Sequence, residues 1–152
     1  MKTILAPTRG GERSFPNQDY AIRLAKERNA RLIFLYVNDV QFLNVVASPV
    51  AVDVAMDELK EMGEFLVAMA HERALKSAVD AETLVRNGGF QEVLDAVIQE
   101  YEVTTLAMGT SNEETGVTTH GYMRELSREL SEKFGIEVIL MRNGEALETI
   151  AS

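Results

Sequence analysis

Apolar residues in this chain fall into short continuous runs, separated by stretches with helical spacing. Residues 4–6 are a short apolar run ended by Pro7, the pattern of a buried strand followed by a turn. Residues 9–14 make a loop around Gly10 and Gly11. Ala21, Leu24, Ala25 and Arg28 then recur at helical spacing, with Ser14 or Asn17 as candidate caps. A second strand is predicted over residues 31–37, where the run from Leu32 to Val37 is apolar on both faces. Such strands suit a parallel sheet covered by helices on both sides.

Residues 38–54 are less regular and unusually apolar, with Phe42, Leu43, Val45, Val46, Pro49 and Val50, and read as a long connection or lid. From about Val52 a long helix is predicted, with Met56, Leu59, Met62, Leu66, Met69 and Ala70 on its core face. The third strand covers residues 81–85 and ends at Asn87-Gly88-Gly89. Val93, Leu94, Val97 and Ile98 mark a third helix, and residues 104–108 a fourth strand ended by Gly109. A polar loop over residues 110–119 leads to a last helix marked by Met123, Leu126, Leu130 and Phe134. Residues 136–141 are the fifth strand, and the remainder reads as a short polar tail, residues 143–152, outside a domain of residues 1–142.

Alternation of strands and helices implies an α/β fold: a single-domain, open, parallel five-stranded sheet with right-handed crossovers and helices on both faces, Rossmann-like. In such sheets ligands bind outside the carboxyl ends of the strands, at the topological switch point. That edge carries residues 7–11, 37–39, 87–89 and 109–112, and the candidate site residues include Pro7, Thr8, Arg9, Val37, Gly88, Gly109 and Thr110 there, with Met108 beside them.

Composition narrows the function. At 152 residues the chain fits one domain, and the absence of cysteine excludes disulfides and fits a reducing cytoplasm. The formal net charge of −9, with Lys and Arg scattered among acidic neighbours, argues against nucleic acid or an anionic membrane as partner. No run approaches the roughly 20 apolar residues of a membrane span, and the start reads as a strand rather than a signal peptide. His71-Glu72 lacks the second histidine of a zinc-protease helix, because position 75 is Leu75, and no metal site is expected. There is no Gly-x-Ser-x-Gly elbow and no Walker A loop, so no enzyme activity is expected beyond, at most, slow ATP hydrolysis.

Five segments, in order and at matching distances, carry a resemblance. Ile4-Leu5-Ala6-Pro7-Thr8-Arg9-Gly10 is similar to an opening strand of the form apolar-Val-Pro-x-Asp-Gly-Ser. Ala21, Leu24-Ala25 and Val37 fall where a first helix and second strand are expected. Val85-Arg86-Asn87-Gly88 resembles Val-x-x-Gly, and Leu106-Ala107-Met108-Gly109-Thr110 resembles apolar-Met-Gly-Ser/Thr. Glu137-Val138-Ile139-Leu140-Met141-Arg142 is similar to a closing Pro-Val-Leu-Val-Val-Arg. Together they resemble the universal stress protein family. The resemblance implies strand order 3-2-1-4-5 and a homodimer, often joined through the last strand. In that order the strand of Ile136, Val138, Ile139, Leu140 and Met141 is an apolar edge, which needs a covering partner or the tail of residues 143–152 folded over it.

Nucleotide-binding members of the family resemble Gly-x-x-Gly, nine residues, then Gly-Ser/Thr after the fourth strand, with an aspartate after the first-strand proline. Glycines let backbone N–H groups approach phosphate oxygens, and a helix N-terminus adds its positive end. Here Gly109 matches, but Asn112 stands for the second glycine, Tyr122 and Met123 for Gly-Ser/Thr, and Arg9 for the aspartate. The expectation is a dimeric regulatory or stress-response module, open to a regulatory protein partner, that takes no ATP in the family's usual way. One alternative is ATP or AMP bound by a loop shifted by one residue, with Gly121 in the last glycine's place and the Tyr122 hydroxyl after it. Another is an anion or metabolite held by Arg9, Arg13 and Gly109.

Overall fold

The computed structural model describes residues 2–39, 48–110 and 120–151. Residues 40–47 of the connection or lid read over 38–54 lie outside the described residues, as does Asn112, while residues 49–54 of it are instead the start of the long helix, which begins at Pro49 rather than near Val52. In chain order the elements are β1 (Thr3–Pro7), a 3-10 turn (Glu12–Ser14), α1 (Phe15–Arg28), β2 (Arg31–Asn38) and α2 (Pro49–Lys76). There follow β3 (Glu82–Asn87), α3 (Phe90–Glu100), β4 (Thr105–Gly109), α4 (His120–Phe134), β5 (Glu137–Arg142) and β6 (Glu145–Ile150). The sheet order is β3-β2-β1-β4-β5-β6. The first five strands are parallel and β6 runs antiparallel to β5.

Alternation along each interior strand divides the core in two. Leu5, Ile33, Leu35, Leu106, Met108, Val138 and Leu140 face α3 and α4, where they meet Val93, Leu94, Val97, Ile98, Met123, Leu126 and Leu130. Ile4, Ala6, Leu32, Phe34, Ala107, Ile139 and Met141 face α1 and α2. Helix ends follow local chemistry. Asn29 closes α1 in the left-handed conformation, φ 51°, with its N–H on the carbonyls of Ala25 and Lys26. Ser48 opens α2: its side chain accepts from the Ala51 N–H, and proline follows at the first helical position.

Two sequence expectations need correction. The core line of α2 is Gly63, Val67, Ala70 and Ala74, while Met62 is exposed. Small residues let this helix lie close to the sheet; a Cβ on Gly63 would stand 2.8 Å from Tyr36 Cδ1. The second correction concerns the tail. Residues after Arg142 are not a loose polar extension but turn at Asn143 (φ 51°) and Gly144 (φ 82°) into β6. Two consecutive positive φ values make this an Asn-Gly hairpin turn, whose twist matches the flanking strands. β6 occupies the outer edge of β5, pairing Val138 with Ile150, Ile139 with Thr149 and Leu140 with Glu148. The argument for a partner on an open β5 edge therefore does not apply; the free edge on that side belongs to β6.

At the amino-terminal end of the strands, Arg28 Nη1 donates to Glu137 Oε1 at 2.6 Å, and the Thr105 hydroxyl donates to the same oxygen at 3.1 Å. The hydrogen bond from Arg28 holds the Glu137 carboxyl below the usual carboxylate range, and its counterpart raises Arg28. A depressed carboxylate contributes stability above its unfolded value, about 4.3, and loses it as pH falls through the native value. In urea melts Glu137→Gln should cost about 1 kcal/mol at pH 7 and progressively less as pH falls below about 4.3; a loss that does not change with pH would mean the pair contributes no electrostatic stability.

Removal of residues 143–152 should expose the edge formed by Val138, Ile139 and Leu140. Sedimentation velocity is expected to show concentration-dependent self-association of the shortened chain. A shortened chain that stays monodisperse and as stable as the full one would mean β6 is dispensable.

Candidate functional site

Thr8, immediately after β1, donates its N–H to the Leu35 carbonyl at 2.8 Å, which extends the β1–β2 ladder. Its hydroxyl oxygen accepts from the Gly10 N–H at 3.1 Å and from Gln18 Nε2 at 2.9 Å. The Ser14 hydroxyl donates to the Gly10 carbonyl at 2.9 Å, and the Ser14 N–H to the Gly11 carbonyl at 3.1 Å. The loop that reads as a possible anion cradle is thus closed on itself. Gly10 adopts φ +73°, and a Cβ there would lie 2.6 Å from Leu66 Cδ2. Glycine is required because α2 passes over the loop. Arg9 and Arg13 are both exposed.

At the end of β2, Asn38 is buried, and its carbonyl accepts from the Gly88 N–H at 2.9 Å. Val37 packs against the core, and Met108 lies within it. At the end of β4, the Thr110 N–H donates to the Met141 carbonyl at 2.8 Å. A Cβ on Gly109 would stand 2.8 Å from Asn17 Nδ2. Asn17 in turn accepts the Gly144 N–H on its Oδ1 at 2.9 Å, which ties α1 to the β5–β6 turn. Gly109 therefore makes room for a side chain that holds the hairpin.

The start of α4 carries the remaining candidates. Gly121 is exposed, with open space where a Cβ would be. Tyr122 is exposed. Met123 is only 2% exposed and belongs to the core, so its place among ligand-facing residues is corrected: its side chain fills the space between α4 and the sheet. His120 and Arg124 face β6, with His120 Nε2 3.6 Å and Arg124 Nε 3.0 Å from the Glu148 carboxylate. His71 hydrogen-bonds through Nδ1 to the Ala81 carbonyl at 2.7 Å, a structural role beside β3.

Gln18 Oε1, Asn38 Nδ2 and Thr110 Oγ1, near the strand ends, are buried without a hydrogen-bond partner among the described residues. Gln18 escapes sequence reasoning, and Asn17 enters it only as a candidate cap. Gln18 is polar at a position one turn before Ala21 and Ile22 on the buried face of α1, which is the signal that could have found it. Two ion pairs lie at the opposite end of the sheet: Arg31–Glu82 joins the first residues of β2 and β3, and Arg28, the last residue of α1, meets Glu137, the first of β5.

Among the described residues, no helix is long and apolar enough to cross a membrane. No curated protein matches the chain. Solved structures share its fold. A universal stress protein family member from Burkholderia pseudomallei is 20% identical, with TM-score 0.70, over 92% of this chain and 95% of that one. Universal stress protein UspA from Lactobacillus plantarum is 18% identical, with TM-score 0.72, over 93% and 97%. A universal stress protein in complex with cAMP is 17% identical, with TM-score 0.63, over 93% and 97%. The family model described as "Universal stress protein family" matches residues 1–120, and the chain belongs to that family.

Proposed function

We propose that this chain is a regulatory, non-catalytic module of the universal stress protein family whose switch-point crevice does not take ATP in the family's usual manner. The observation that carries the reading is the use to which the glycines are put. Gly10 and Gly109 each face a packed neighbour, Leu66 and Asn17, rather than open space. The N–H groups of Thr8, Gly10, Gly88 and Thr110 all reach protein acceptors already. A phosphate approaching these groups would have to break those bonds, and a buried carbonyl left unpaired costs about 1–3 kcal/mol. Arg9, where a carboxylate is expected for the nucleoside end, accepts no hydrogen bond.

A second reading, an ATP- or AMP-binding member, draws on the unpartnered Gln18 Oε1, Asn38 Nδ2 and Thr110 Oγ1, and on open space at Gly121. The relative in complex with cAMP makes adenine nucleotides the first ligands to try. The third reading, an anion held by Arg9 and Arg13, is tested by inorganic phosphate and Arg9→Asp. A partner copy in a homodimer would have to meet β6 or a helix face, because β5 is already paired.

Isothermal titration with ATP and magnesium, on protein stripped of co-purified nucleotide, decides between the first two. Expected is no binding tighter than about 1 mM, against the roughly 8 kcal/mol that micromolar affinity represents. Micromolar binding would overturn the proposal in favour of the shifted loop.

The packing role of Gly10 has its own check. Gly10→Ala should destabilise the fold by about 2–4 kcal/mol in urea melts, from the left-handed backbone and the contact with Leu66 together. A loss below about 1 kcal/mol would mean that α2 yields to the added Cβ, since Leu66 Cβ, Cγ and Cδ2 all stand within 2.8 Å of its position.

A further inference from the structure

α2 is longer than the sheet it lies on. Its 28 residues extend about 42 Å, whereas the 8 residues of β2 extend about 26 Å. The part packed on the sheet begins at Gly63. Its buried residues Gly63, Val67, Ala70 and Ala74 all lie there, and between Val50 and Met62 no residue is buried. The overhanging part is nonetheless rich in apolar side chains. Val50, Val54, Met62 and Phe65 are 74%, 54%, 55% and 65% exposed.

These residues form a pattern. Steps of three and four bring Val50, Val54, Glu58, Glu61 and Phe65 onto one ridge of the helix, with Met62 beside it. The ridge points away from the sheet, because the buried line of Gly63, Val67, Ala70 and Ala74 lies on the opposite side. Its charge is of one sign. Residues 49–64 carry Asp53, Asp57, Glu58, Glu61 and Glu64 against Lys60 alone, and Lys60 is paired with Glu64 at 3.9 Å.

Charge selects the occupant. A second copy would bring an equally acidic ridge against this one, and an anionic lipid surface or nucleic acid would be repelled in the same way. A partner with cations between apolar residues reverses the sign of that term. The surface is a convex helix without a free strand edge, so it packs best against another helix, ridge into groove. Methionine at 62 adapts to the partner's shape.

We propose that the ridge of α2 from Val50 to Phe65 is a docking surface for a basic amphipathic helix of another protein, whose apolar side chains cover Val54, Met62 and Phe65 and whose Lys or Arg side chains meet Glu58 and Glu61. This surface lies on the outer side of α2 and does not depend on whether the crevice takes a nucleotide.

The probe is a designed helical peptide of about 18 residues, with leucine along one face and lysine elsewhere, and a counterpart with glutamate in place of lysine. Fluorescence anisotropy is read against the full chain at about 0.15 M salt, where long-range attraction is largely screened. The lysine peptide is expected to bind and the glutamate peptide not to. Met62→Ser with Phe65→Ser should weaken binding at least about tenfold, and Glu58→Gln with Glu61→Gln should weaken it and flatten its salt dependence. Both pairs lie at exposed positions, and thermal melts confirm that the fold is kept. Affinity unchanged by the Met62 and Phe65 substitutions would overturn the proposal, since the peptide would then be held by net charge elsewhere. Self-association in sedimentation that the same substitutions abolish would also overturn it, because a second copy would then cover the ridge.

Discussion

An apolar strand at the end of a parallel sheet must pair with something on its outer side. β5, with Val138, Ile139, Leu140 and Met141 all buried, is such a strand, and much of the molecule answers to it. β6 supplies the missing ladder. Its turn is held by Asn17, which accepts the Gly144 N–H. Asn17 needs the space that Gly109 leaves at the end of β4. On the other face, Glu148 of β6 is held by His120 and Arg124 of α4. The first turns of α1 and α4, the end of β4 and the hairpin are therefore one connected assembly at the carboxyl end of the sheet. β6 also carries Glu145 and Glu148 and a register shift beside Leu147, which blunt the new edge it creates.

Interior strands and the helices α3 and α4 are legible in the sequence, because their hydropathy periods are strong. β2 is apolar on both faces, as a strand between two helical layers must be. Val93, Leu94, Val97 and Ile98, and likewise Met123, Leu126 and Leu130, are buried where helical spacing puts them. α2 is different because it docks through Gly63, Ala70 and Ala74, residues whose small size matters more than their hydropathy. Of the methionines in the expected core line, Met62 is exposed and Met56 and Met69 are only half-buried. β6 was missed for a related reason: Glu145, Glu148 and Thr149 look like a solvated tail. The informative signal was Asn143-Gly144 directly after a strand, with positive φ at both positions.

At the site, positions were legible and roles were not. Thr8, Gly88, Gly109 and Thr110 do lie at the ends of parallel strands, as the switch-point rule requires. A glycine in a motif states only that a Cβ is excluded, and two different neighbours produce that exclusion. A ligand's phosphate needs the backbone bare, and so does a protein side chain packed against it. Hydropathy and spacing carry no information about which neighbour is there. Geometry does: Leu66 stands over Gly10 and Asn17 over Gly109, while Gly121 faces open space. The hydrogen bonds agree with this division, since Gly10 N–H is already held by the Thr8 hydroxyl. Where a motif's glycine meets the chain's own side chain, removing the Cβ serves the fold first. At Gly10 and Gly109 that side chain is enough by itself to account for the glycine.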